Sequence, residues 1–113
     1  AATSHLPHML AYTLVDALSS SDASEDIFRC AAGGFRDFTR IASSDPTMWR
    51  DIALANKAAL LDAIDLFSEH MSRLRAAVQS ENVDELTATF SRAKRARDEF
   101  SALLAQRSEP KIP

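Results

Sequence analysis

From His8 to Leu18 the chain reads His-Met-Leu-Ala-Tyr-Thr-Leu-Val-Asp-Ala-Leu, apolar on nearly every face of a helix. Pro7 stands just ahead, where a first helical turn loses nothing by lacking an N–H. A helix apolar all round must be buried, by its own chain or by another. The polar run from Ser19 to Ser24 ends it. Ile27, Phe28 and Cys30 then suggest a short helix leading to two adjacent glycines. Phe35, Phe38 and Ile41 recur every third residue, which predicts another short helix from about Phe35 to Ala42.

Asp45-Pro46 marks the next helix start, with Asp as N-cap and Pro in the first turn. That helix is expected to be long. Leu60, Ile64, Phe67, Met71, Leu74 and Val78 alternate steps of four and three, a coiled-coil-like seam. Asn82-Val83-Asp84-Glu85 resembles a capping box with Asn in place of Ser or Thr. Val83, Leu86, Phe90, Ala93, Phe100 and Leu103 carry the rhythm into a last helix, interrupted by Arg97. The pattern predicts an all-α fold, a helical bundle with a long antiparallel hairpin. Residues 1–107 form one domain in this reading, and residues 108–113 a tail.

Composition narrows the picture. A chain of 113 residues supports one core, and scarce Gly and Pro favour helices. The net charge of −3, without a long block of one sign, gives no support for nucleic-acid binding. Cys30 is the single cysteine, so no disulfide forms within the chain. That fits a reducing compartment. No apolar run reaches membrane-spanning length. The chain begins at Ala1 and enters a dense motif at once, and it is read as a piece of a longer protein.

Candidate chemistry gathers in three places. Both glycines of the chain sit together in Gly33-Gly34-Phe35-Arg36-Asp37-Phe38-Thr39-Arg40. Glycine admits unusual backbone angles or lets a ligand approach the main chain. Asp37 and Arg40, three apart on a helix, suit either an exposed ion pair or an arginine held ready for a carboxylate or phosphate. His5 and His8 flank Pro7 at the first helix start. They suit capping and packing, an anion at the helix N-terminus, or less readily a metal, since no further ligands share their spacing. Trp49, the only tryptophan, suits a core anchor or a ligand contact. Arg92, Lys94, Arg95 and Arg97 read as a solvated face. No nucleophile triad, phosphate loop or three-glycine dinucleotide pattern occurs.

The strings Ala2-Thr3-Ser4-His5-Leu6-Pro7-His8, Gly33 to Pro46, and Met48-Trp49-Arg50-Asp51-Ile52 together resemble the C-terminal helical domain of prephenate dehydrogenases. That family includes arogenate and cyclohexadienyl dehydrogenases. The resemblance runs from Ala1 to about Leu104. It implies oxidative decarboxylation of prephenate to 4-hydroxyphenylpyruvate, or of arogenate to tyrosine, with reduction of NAD or NADP. It also implies an N-terminal Rossmann domain, absent from this chain, that carries the cofactor and the principal catalytic histidine. The chain alone is then expected to hold no catalytic residue, cofactor or metal, and to be inactive. The resemblance further implies a fold like the C-terminal domain of 6-phosphogluconate dehydrogenase-like enzymes, an intertwined homodimer, a cytoplasmic location, and tyrosine as a candidate inhibitor. Residue by residue, Arg40 matches the arginine that binds a substrate carboxylate. His8 matches a pocket histidine, and Gly33 a pocket backbone position. Asp37 and Trp49 match residues that brace the arginine and close the site, and His5 matches the first histidine of its string. Two rivals remain: a helical dimerisation module without enzymatic function, and the helical domain of another hydroxy-acid dehydrogenase. Convergence of the glycine run and the His-Pro-His turn on one concave pocket would favour the enzyme reading, and their lying on opposite sides of the fold would favour the non-enzymatic module.

Overall fold

A computed structural model describes residues 5–20 and 33–108. Its regular elements are α1 (Leu6–Ser19), α2 (Gly33–Thr39), a 3-10 turn (Arg40–Ser43), α3 (Pro46–Ala55), α4 (Lys57–Gln79) and α5 (Val83–Ser108). The all-α class is as expected. The helix expected around Ile27, Phe28 and Cys30 lies outside the described residues, as do most of the polar run after Ser20 and the tail beyond Ser108.

Local chemistry sets the element ends. Pro7 sits in the first turn of α1, and the hydroxyls of Ser19 and Ser20 donate to Asp16 O at 2.8 and 2.9 Å to close its end. Thr39 Oγ1 donates to Phe35 O at 2.8 Å, where α2 tightens into the 3-10 turn. Asp45 caps α3, its Oδ1 accepting from the Thr47 N–H at 3.1 Å. The long helix expected after Pro46 is two helices, broken at Asn56. The Asn56 side chain donates to Ile52 O at 2.8 Å, and its backbone leaves the helical region at φ −117°, ψ 30°. An amide competing for backbone carbonyls ends the first helix although the apolar rhythm runs on.

The α4–α5 turn is a Schellman cap. Asn82 N–H donates to Ala77 O at 2.9 Å and Glu81 N–H to Val78 O at 3.1 Å. Glu81 takes the left-handed position at φ 52°, usually reserved for glycine. Asn82 then caps α5 through Oδ1, which accepts from Glu85 N–H at 3.1 Å. Only half of the expected capping box can form, because the Asn82 N–H is already committed to Ala77.

The chain divides into two compact units, Ala1–Ser68 and Glu69–Pro113. In the first, α1 packs against α2 and the 3-10 turn, and α2 packs against that turn. Ala11, Leu60 and Ala63 are its buried apolar residues. In the second, Ala77 is buried, while Met71, Val78, Val83, Phe90, Phe100 and Leu103 are exposed. Residues of α4 and α5 meet around a cavity of about 50 Å³ lined in part by His70, Arg73, Leu74, Ala77, Glu85 and Arg92. Leu74 and Leu86 of the two apolar rhythms are half-buried, while most of the others stay exposed.

Candidate functional site

Within the first unit, α1 and α3 bring three of the singled-out residues together. His5 and His8 lie one turn apart at the start of α1, and Trp49 lies in the first turn of α3. The His8 and Trp49 rings stack, with centroids 3.6 Å apart and planes 15° from parallel. His5 meets the indole edge-on, at 6.1 Å and 70°. The Nδ1 atoms of both histidines are shielded from solvent and have no hydrogen-bond partner. A shielded ring nitrogen without a partner costs stability unless something outside the chain satisfies it. His5 also makes no side-chain cap for α1, so capping does not account for it.

Beside the stack lies an open cavity of about 200 Å³, lined by Met9, Tyr12, Pro46, Trp49, Arg50 and Ala53. Its walls are mostly apolar side chains, with Arg50 at the edge. That combination suits a small ring-bearing ligand with polar substituents. Arg50 pairs with Asp51 at 2.9 Å, and both are exposed, so this pair contributes little to stability.

Gly33, Asp37 and Arg40 do not line this cavity. They lie on α2 and the 3-10 turn, the elements that pack on α1, and all three are exposed. Asp37 and Arg40 form no ion pair with each other. The guanidinium of Arg40 is thus available to a ligand without Asp37 as its holder. Neither glycine has a positive φ, so backbone strain does not explain them. No atom lies within 4 Å of where a Cβ would sit on either. What the glycines provide here is open space against the main chain.

Among the described residues no three His, Cys, Asp or Glu side chains gather as a metal site. In the sequence Tyr12 reads as one more apolar position of the first helix. Its hydroxyl in fact donates to Ser44 O at 2.7 Å, across 32 residues. A lone tyrosine one turn beyond His8, in an otherwise aliphatic stretch, was the available signal.

Residues 1–92 match the family described as prephenate dehydrogenase, dimerization domain. A cyclohexadienyl dehydrogenase of Zymomonas mobilis is 42% identical over 99 residues, 86% of this chain and 34% of that protein. A prephenate dehydrogenase of Bacillus subtilis is 45% identical over 99 residues, 84% of this chain and 26% of that protein. The crystal structure of Synechocystis arogenate dehydrogenase is similar with a TM-score of 0.80 at 26% identity, covering 87% of this chain and 36% of that one. The chain thus spans between about a quarter and a third of the curated relatives it matches.

Proposed function

We infer the function of this chain from the family to which it belongs, the prephenate dehydrogenases, whose dimerization domain it matches over residues 1–92. The chain is the substrate-side and dimerisation domain of a dehydrogenase acting on prephenate or arogenate. The observation that carries this reading is the His8–Trp49 stack at an apolar cavity, inside the stretch that the family match covers. His8 and Trp49 wall the ring of the substrate, and His5 holds the outer edge of the indole. Gly33 leaves room beside the backbone. Arg40 takes a substrate carboxylate by a charge-assisted fork, and Asp37 lies one turn before it. These residues bind and orient, which is a large share of what a positioned reaction needs.

The family's nicotinamide cofactor, NAD or NADP, serves the parent enzyme. Its binding, and the proton transfer at the ring hydroxyl, fall to another domain of the parent protein, and this chain alone does not turn over substrate. A homodimer supplies cover for the apolar faces left open on α4 and α5. No described helix is long and apolar enough to cross a membrane. The parent enzyme is placed in the cytoplasm, with tyrosine as a candidate inhibitor at the same pocket.

Steady-state kinetics of the parent enzyme tests the reading. Arg40→Ala lowers kcat/KM by about 2 kcal/mol, roughly thirtyfold, chiefly through KM. Arg40→Lys restores only part, because lysine lacks the planar two-point fork. A KM near wild type for Arg40→Ala, with prephenate and with arogenate, refutes the assignment.

A further inference from the structure

Trp49 can stack on His8 only if the start of α3 is held at one height along α1. The Ser44 N–H and Oγ both donate to Ile41 O, at 3.2 and 2.7 Å, which fixes the residue before the N-cap. The Ser44 carbonyl accepts from the Tyr12 hydroxyl at 2.7 Å. One residue on, the Asp45 carbonyl accepts the amide of Trp49 itself at 3.1 Å. Tyr12 stands one turn beyond His8 on α1, so the two side chains share a face. The contacts close a ring: His8 to Trp49, Trp49 to Asp45, Asp45 to Ser44, Ser44 to Tyr12, and Tyr12 back along α1 to His8. Apart from the ring stack itself, the Tyr12 hydroxyl is the one link in that circuit between distant segments.

We propose that Tyr12 is a positioning residue: its hydroxyl sets α3 so that Trp49 lies flat on His8 at the pocket. Its ring also walls the adjoining cavity, so losing the hydroxyl alone separates positioning from packing. The consequence for substrate rests on the reading of this pocket given above, but the geometric claim does not.

Trp49 is the only tryptophan of the chain, so its emission reports this stack without interference. The emission of the 113-residue chain is compared with that of Tyr12→Phe and of His8→Leu, the reference without a stacked imidazole, at a temperature where circular dichroism shows all three helical. In parallel, KM and kcat of the parent enzyme are measured for Tyr12→Phe. Tyr12→Phe moves the emission toward the His8→Leu value. It raises KM by about two- to tenfold, the range of one lost hydrogen bond, with kcat nearly unchanged. Emission of Tyr12→Phe identical to wild type overturns the proposal, as does emission of His8→Leu identical to wild type. A moved emission with an unchanged KM upholds the positioning role and instead overturns the substrate reading of the pocket.

Discussion

Around Trp49, segments far apart in sequence grip each other; between Glu69 and Ser101, the side-chain ion pairs and hydrogen bonds of the described residues join neighbours one helical turn apart. The first region has the His8–Trp49 stack and the Tyr12–Ser44 hydrogen bond, which join α1 to α3 and the residues before it. The second has Arg73 with Glu69, Lys94 with Asp98, and Arg97 with Ser101 and over the Phe100 ring. Such exposed pairs at one-turn spacing add only a few tenths of a kcal/mol each. Yet the second region carries large apolar side chains in the open, with Val83 at 70% and Phe90 at 57% exposure. The lesson concerns where order comes from. The site region holds tertiary contacts between distant segments, whereas α5 and the end of α4 hold an apolar surface that the proposed dimer would bury.

The largest effect should come from charging that open surface. Phe90→Asp puts a carboxylate where the account needs apolar burial, and should weaken self-association at least about a hundredfold. Analytical ultracentrifugation across a dilution series reads this directly. The Trp49 emission should stay as in wild type, because the charge lies outside the site region. If the association is untouched, the contrast between the two regions fails on its second side.

A cap in the site region comes next. Asp45→Ala removes the acceptor for Thr47 N–H and should destabilise the fold by about 1 kcal/mol. Because α3 carries Trp49, thermal melts followed by tryptophan emission should show the loss. An unchanged melt would mean that the start of α3 is held by something other than its cap.

The smallest change should have the opposite sign. Glu81 occupies a left-handed position at φ 52° in the α4–α5 turn. Glu81→Gly relieves that conformation at some cost in unfolded-chain entropy, for a net gain of roughly 0.5 kcal/mol. A denaturant midpoint that falls instead would show that the Glu81 side chain contributes to the turn. Substrate kinetics should not respond, which sharpens the division between the regions.

Much of this was legible in the sequence because helix ends are written locally. Pro7, Asp45-Pro46 and Asn82 each mark a helix start from the chemistry of a few neighbours. The break at Asn56 was missed since apolar periodicity ignores a side-chain amide that competes for Ile52 O. Spacing shows which residues share a stripe but not what covers each of them: Leu74 lines the small α4–α5 cavity, whereas Val78 and Val83 are exposed. For the site, strings around His5, His8 and Trp49 pointed to residues that do come together. The Asp37–Arg40 pairing did not form, because spacing of three puts two side chains on one face without fixing the rotamers that would join them, and both are exposed. The Tyr12–Ser44 bond depends on a contact 32 residues away, which no local pattern encodes.

In the proposed dimer the chain completes itself with a second copy through the apolar faces of α4 and α5. Sedimentation of the 113-residue chain, whose mass is 12.4 kDa, tests that most directly. The predicted result is a species of twice that mass at micromolar concentration, giving way to monomer only on strong dilution. A single species of 12.4 kDa throughout the micromolar range would contradict it.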